Sequence, residues 1–197
     1  MHKFNREKLQ QKLLSLSDWK KVAFGLSICE RLYPNYVAFA EETGCGSASE
    51  MRSYIDMVRD SLRNDAPIVD AESAEKKSLT FAPDTEDFSS YYTSVALDTA
   101  VSVATLIAYQ NDHEMDKLVD IAEAAYDTVS LFLSQVDCPY EIDEQWILTH
   151  PMMQNELEKQ REELELLDDL GGSFADNQAQ LLARWKTDTP LSVNVLD

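Results

Sequence analysis

The side chains best suited to chemistry in this sequence gather in one eight-residue segment, Cys29–Tyr36. Glu30 and Arg31 bring a carboxylate and a guanidinium, and Tyr33 and Tyr36 bring two phenols. Such groups can line a small binding pocket, because they place charge and hydrogen bonds beside apolar rings. They can also form a rigid, hydrogen-bonded contact between helices. The residue types alone leave both interpretations open.

A proline divides this segment. Pro34 has no amide hydrogen, and in a helix its ring clashes with the carbonyl group four residues earlier. Because proline is well suited to the first turn of a helix, the sequence predicts that one helix ends near Leu32–Tyr33 and another begins at Pro34. We expect Asn35 to hydrogen-bond backbone groups at the resulting corner.

Asp98 is a second unusual carboxylate, since it lies in the most apolar stretch of the chain. A buried carboxylate is costly unless it is paired, so Asp98 should have a partner. Neighbouring residues of a helix point about 100° apart, so Glu30 and Arg31 should not pair with each other, and one of them should reach another helix. We therefore predict that Arg31 pairs with Asp98. The candidate pocket or structural corner comprises Glu30, Arg31, Tyr33, Asn35, Tyr36 and Asp98.

Four acidic residues recur on one side of a single predicted helix, at spacings of four, three and four. They are Asp116, Asp120, Glu123 and Asp127, and we call them the acidic face. Residues three or four apart are neighbours on a helix surface, so their carboxylates lie side by side. This pattern could bind a divalent cation or a basic partner, and it is also typical of an ordinary solvated helix surface.

The sequence lacks the signatures of common catalytic and metal sites. Neither His113 nor His150 has the glutamate three residues earlier that di-iron helical bundles use, and three histidines in all do not suit a zinc site. A glycine-rich phosphate loop and a Gly-x-Ser-x-Gly nucleophile motif are also missing. We therefore predict no metal and no cofactor. Whether the protein is an enzyme stays open.

The formal net charge of −19 is unevenly distributed along the chain. Residues 1–111 carry 16 acidic and 12 basic side chains, whereas residues 112–197 carry 20 acidic and 5 basic ones. The first 21 residues reverse the sign, with six Lys or Arg against two acids. A basic first helix could thus lie on the acidic face, or reach it across a dimer. The overall field argues against direct binding to nucleic acid phosphates or anionic lipids.

Apolar residues recur with helical spacing through most of the chain, and no alternating strand pattern is present. This predicts an all-α fold, a compact bundle of about seven to eight helices in a single domain, residues 1–197. Residues 1–16 would form a first helix that could be an arm, and residues 187–197 a loose tail. No stretch reaches the roughly 20 apolar residues of a membrane span, and no signal-peptide core or disulfide framework is present. We expect a cytoplasmic protein that does not bind membranes.

The segment Cys29–Tyr36 resembles the YjaG-like bacterial proteins. The likeness runs over most of the chain, and further matching positions are Trp19, Phe39, Thr43, Gly44, Asp87, Phe88 and the helix of Asp98. The resemblance implies soluble, cytoplasmic, all-helical proteins that are classed as a domain of unknown function. It brings no established catalytic residues with it.

Three functions follow as hypotheses. The leading one is a homodimeric protein that binds a basic partner protein through its acidic C-terminal half. The second is a small-molecule-binding protein or enzyme with its site at the corner near Glu30, Arg31, Tyr33 and Tyr36. The third is an acidic surface that mimics nucleic acid.

Overall fold

A computed structural model describes residues 1–135 and 143–186 of the chain. Over these residues the structure contains nine α-helices and no strand, which confirms the predicted all-α fold. The helices are α1 Arg6–Ser15, α2 Asp18–Thr43, α3 Ala48–Asn64, α4 Ala71–Leu79, α5 Tyr92–Asp112, α6 Met115–Gln135, α7 Glu144–Thr149, α8 Pro151–Asp169 and α9 Phe174–Trp185. The predicted loose tail, residues 187–197, lies outside the described residues.

The core of the bundle is built on α2 and α5, which pack along each other. Gly25 allows this approach, because a Cβ atom there would lie 2.6 Å from Leu106 Cδ1 of α5 and 3.1 Å from Leu118 Cδ2 of α6. By length and apolar content α5 could also cross a membrane. However, 67% of its apolar window is buried in the protein, as expected for the central helix of a bundle.

The predicted helix break at Pro34 is wrong. The helix α2 runs without interruption from Asp18 to Thr43 with Pro34 inside it, and it ends at Gly44, whose φ of 68° provides a left-handed C-cap. An internal proline costs about 3 kcal/mol. Fifteen of the 26 residues of α2 are buried, and each large apolar side chain contributes about 1.5–3 kcal/mol on burial. Packing therefore outweighs the local cost of the proline.

A contact from α5 supports the backbone next to this proline. Thr99 Oγ1 lies 3.1 Å from the carbonyl oxygen of Leu32, and it also donates to Val95 O in its own helix at 2.8 Å. The backbone just before Pro34 is thus tied to the central helix.

The basic first helix lies on the bundle, where its Leu9 and Leu13 are buried. It packs against α6, the helix that carries the acidic face. The chain before α1 is held on α8 by a reciprocal pair of hydrogen bonds: His2 N donates to Gln154 Oε1 at 2.7 Å, and Gln154 Nε2 donates to His2 O at 2.9 Å.

Candidate functional site

Glu30 is the centre of an ion cluster between α2 and α3. Both terminal nitrogens of Arg52 lie 2.9 Å from Glu30 Oε2, and Arg59 donates to Glu30 Oε1. Asp56 lies 2.8 Å from Arg59 Nη1. Glu30 is only 8% exposed, so its charge would be costly without a partner, and the two guanidinium groups provide one.

The two phenols of the segment are also committed to partners inside the protein. Tyr33 OH donates to Ala48 O at 3.0 Å, and the guanidinium of Arg52 lies 4.4 Å from the centre of the Tyr33 ring. Tyr36 OH donates to Phe81 O at 2.7 Å. Burial raises the pKa of both phenols. They therefore act as neutral hydrogen-bond donors that join α2 to the start of α3 and to the chain after α4.

The predicted pairing of Arg31 with Asp98 is wrong. Arg31 Nη2 lies 2.8 Å from Glu156 Oε1 on α8, and Arg31 Nη1 donates to Ser27 O at 3.2 Å. The side chains of both ion-pair partners are buried, with 10% of Arg31 and 1% of Glu156 exposed. Arg31 faces α8, whereas Asp98 faces α6, where Thr128 Oγ1 donates to it at 3.4 Å. The two residues thus belong to different sides of the bundle.

Arg31 belongs to a buried polar cluster that the sequence reasoning missed. Its acidic members are Glu156 and Glu163 of α8, and Gln160 between them donates to Glu156 at 2.9 Å and to Ala122 O of α6 at 3.0 Å. Trp185 of α9 donates its indole N–H to Glu163 at 2.7 Å. Burial raises the pKa of Glu163. Arg184 of α9 also lies 3.1 Å from Glu163, so the cluster joins four helices through two arginines.

A signal for this cluster is present in the sequence. Residues with spacings of three and four share one face of a helix, and the stripe of α8 that faces α2 contains three polar residues between two apolar ones. The stripe reads Met153, Glu156, Gln160, Glu163 and Leu167, and all five are buried. Charged residues at the centre of an otherwise apolar stripe indicate buried ion pairs, because unpaired charges there would be costly.

Asn35 does not hold the backbone at a corner, as was expected of it. Its side chain is fully buried, and neither its amide oxygen nor its amide nitrogen has a hydrogen-bond partner in residues 1–135 and 143–186. An unsatisfied buried polar group costs about 1–3 kcal/mol.

The acidic face is partly covered by the first helix. Arg6 Nη2 lies 2.6 Å from Asp120 Oδ1, and Arg6 also donates to Glu123. Gln10 Nε2 donates to Asp116 Oδ1 at 2.9 Å. Three of the four carboxylates are therefore bound by α1 within the same chain.

The fourth carboxylate of the acidic face, Asp127, lies next to Asp98 of α5. Burial, and secondarily repulsion from Asp127, raises the pKa of Asp98 to about 6. Burial, followed by repulsion from Glu123, also raises the pKa of Asp127. In the described part of the chain neither of the two carboxylates forms an ion pair with a lysine or arginine. Within the described residues, the negative charge of this pair is thus not compensated by a cationic side chain, in contrast to Asp120 and Glu123, which Arg6 binds.

Two grooves open on the surface away from the segment Cys29–Tyr36. One of about 580 Å³ lies between residues 1–12 and α8, and one of about 520 Å³ lies beside α4. Within the described residues, no group of three or more His, Cys, Asp or Glu side chains is arranged to hold a metal ion. The arrangement as a whole can hold helices together and can present charge. The six candidate residues do not form one site: Glu30 and Arg31 belong to two separate ion clusters, and Asp98 lies beside Asp127. The other three, Tyr33, Asn35 and Tyr36, are buried or half-buried between helices.

Fold and side-chain contacts define an all-α bundle whose most distinctive segment joins helices through buried ion pairs. The family described as "Protein of unknown function (DUF416)" matches residues 8–187, and the chain belongs to this family. The predicted resemblance to YjaG-like proteins is confirmed.

Several relatives share most of their length with this chain. The "Uncharacterized protein YjaG" of Escherichia coli (strain K12) is 27% identical over 157 residues, which cover 79% of this chain and 80% of that protein. An "Uncharacterized protein" of Haemophilus influenzae is 23% identical over 130 residues, covering 65% of this chain and 66% of that protein. The crystal structure of a DUF416 family protein from Shewanella baltica OS155 has a TM-score of 0.81 with 21% identity, covering 89% of this chain and 92% of that one. This structure shows that the fold is shared.

Proposed function

We propose that this protein binds a basic partner protein in the cytoplasm, and that the centre of the binding surface is the carboxylate pair Asp98 and Asp127. The observation that supports the proposal is the uncompensated charge of this pair. A lysine or arginine from a partner would relieve the repulsion between the two carboxylates and would replace the solvation that Asp98 has lost.

Contacts inside the molecule support the same chemistry. Arg6 of α1 already binds Asp120 and Glu123, which precede Asp127 on the same face of α6. The acidic face therefore accepts a guanidinium presented by a helix. Because α1 occupies most of this face, the free binding surface is smaller than the sequence suggests. It is centred where Asp98 of α5 lies beside Asp127 of α6.

An apolar side chain lies close to this pair in the fold. Val101 follows Asp98 by three residues on α5 and is 43% exposed. Residues three apart share a helix face, so a partner segment that contacts Asp98 can also cover Val101. We expect a partner segment with basic residues and at least one apolar side chain, since an interface needs a desolvated centre as well as complementary charge.

Affinity purification with matched charge variants tests this proposal. The binding variant is Asp98→Asn/Asp127→Asn, and the control is Glu41→Gln/Glu42→Gln, which removes the same charge from two exposed acids at the end of α2. Basic proteins retained by the native chain and by the control should be lost by the binding variant. They should also be released between about 50 and 300 mM salt, because screening weakens such contacts. Partners that all three chains retain equally would contradict the proposal. So would retained proteins that are not predominantly basic, or whose retention does not depend on salt.

A further inference from the structure

The groove of about 580 Å³ beside the first helix has the size and the lining of a small-molecule site. Apolar side chains from residues 1–12 and from α8 line it, and they are Phe4, Leu9, Leu157 and Leu164. The hydrogen bonds between His2 and Gln154 hold the chain before α1 in place at its edge. Small-molecule sites have volumes of about 300–1,000 Å³ and a largely apolar lining, so a small molecule fits this groove.

The lysine and arginine side chains of the groove face no carboxylate within it. The cationic residues that line it are Lys3, Lys8, Lys12 and Arg161, and no Asp or Glu lines it. Arg161 is held from outside the groove by Glu158 and Glu165. The three lysines are exposed, and among the described residues none of them forms an ion pair. The groove therefore carries uncompensated positive charge in a chain whose net charge is −19.

The geometry of α1 keeps two of these lysines away from the acidic face of α6. Leu9 and Leu13 form the buried stripe of the helix. At about 100° per residue, Arg6 lies on one side of this stripe, whereas Lys8 and Lys12 lie on the other. Arg6 binds the carboxylates of α6 on its side. Those carboxylates therefore do not neutralise the lysines that line the groove.

We propose that this groove binds a free amphipathic anion, a small molecule with one anionic head and an apolar body. The head contacts the ammonium groups of Lys8 and Lys12, and the body covers the apolar lining. A cationic or neutral molecule leaves the lysines uncompensated, and a small inorganic anion leaves the apolar side chains uncovered. An anionic membrane surface is disfavoured as the source of the head, because the net charge of −19 repels it.

Calorimetric titration with dodecanoate, below the concentration at which it forms micelles, tests the charge requirement. The native chain should bind a single dodecanoate with a Kd below about 100 μM in about 50 mM salt. Lys8→Gln/Lys12→Gln should bind it about fivefold more weakly or worse, because two cations are lost while the apolar lining stays. The control Lys76→Gln/Lys77→Gln removes the same charge from two exposed lysines of α4 and should bind as the native chain does. Circular dichroism of each variant confirms that it is folded.

A series of carboxylates with different chain lengths tests the apolar contact. Octanoate, decanoate and dodecanoate share one head, so differences in their affinity report on the body alone. The affinity of the native chain should rise about two- to fourfold with each methylene group that enters the groove. Acetate, which has the head without the body, should show no measurable binding.

Sedimentation with vesicles that contain phosphatidylglycerol separates a free ligand from a lipid surface, and the native chain should stay in the supernatant. The proposal would be overturned if the native chain did not bind dodecanoate, if Lys8→Gln/Lys12→Gln bound it as tightly as the control, or if affinity did not depend on chain length. Co-sedimentation with the vesicles that is lost in Lys8→Gln/Lys12→Gln would also overturn it, because the groove would then contact a membrane.

Discussion

Glu30 and Arg31 are neighbours in the sequence but hold different helices. Glu30 binds Arg52 and Arg59 of α3, and Arg31 binds Glu156 of α8. The rotation of about 100° between successive helical residues turns the two side chains toward different neighbours. An ordinary Glu-Arg dipeptide thus becomes a junction of three helices.

Removing Arg31 should strongly destabilise the protein. We expect Arg31→Met to lower the free energy of unfolding by about 3–5 kcal/mol, because Glu156 would stay buried without its cation. The double change Arg31→Met/Glu156→Met should recover much of this loss, since it leaves no unpaired charge. Urea denaturation of the single and double variants measures both effects. A single variant within 1 kcal/mol of the native chain would show that the ion pair has little influence on stability.

The raised pKa of Asp98 predicts a pH-dependent stability. The folded-state pKa of about 6 lies above the ordinary value of 3.8, so the folded protein holds more protons than the unfolded chain between these two values. The contribution of Asp98 to the free energy of unfolding should therefore fall as the pH rises from about 4 to about 6 and then level off. In Asp98→Asn this loss should disappear, which makes the variant more stable than the native chain at pH 7 by about 1–3 kcal/mol.

Thermal denaturation at pH 4, 5, 6 and 7 measures this difference. The test also bears on function, because the same substitution should weaken binding of a basic partner while it stabilises the free protein. Such opposite signs are typical of groups kept for binding rather than for stability. An Asp98→Asn variant that is less stable than the native chain at pH 7 would show that Asp98 is well compensated in the fold.

At the scale of elements, α2 shows how packing overrides local preference. It contacts α3, α5, α6, α8 and α9, so most of its surface packs against other helices. The proline removes one backbone hydrogen bond but does not end the helix. The helix ends only at Gly44, where the left-handed conformation is favourable for glycine.

Replacing this proline should stabilise the helix. In Pro34→Ala the backbone regains an amide donor and loses the steric clash, which together contribute about 3 kcal/mol, while the smaller side chain loses about 1–2 kcal/mol of buried contact. We expect the free energy of unfolding to rise by about 1 kcal/mol in urea denaturation. If the proline ring instead supports an essential packing arrangement, the variant would be less stable than the native chain.

At the scale of the whole molecule, the charge distribution is compensated in part by the fold. The basic first helix lies on the acidic face, and Arg6 bridges two carboxylates more than 110 residues away in sequence. Most of the remaining negative charge stays on the surface, so the folded chain repels itself.

Salt should therefore stabilise the protein. Raising NaCl from about 20 to about 500 mM shortens the screening length to a few ångströms and weakens long-range repulsion more than direct ion pairs. We expect the midpoint of thermal unfolding to rise by about 2–4 °C, which corresponds to roughly 1 kcal/mol for a chain of this size. Calorimetry at several salt concentrations measures the change. A midpoint that falls with salt would mean that surface ion pairs such as Arg6–Asp120 dominate instead.

Local patterns in the sequence were sufficient to predict the fold class and most helices. Apolar residues with helical spacing, and glycines after helices, act within a few turns of the chain, so the stripes of α3, α5 and α6 can be recognised without a structure. The family likeness could be recognised in the same way, because the segment Cys29–Tyr36 is contiguous.

Only the tertiary structure decided which side chains meet. Arg31 pairs with Glu156, 125 residues away, rather than with Asp98, and α1 rather than solvent covers most of the acidic face. The continuity of α2 through Pro34 likewise depends on neighbours on every side. These outcomes are determined by how helices turn and pack against one another, and a one-dimensional pattern does not contain that information.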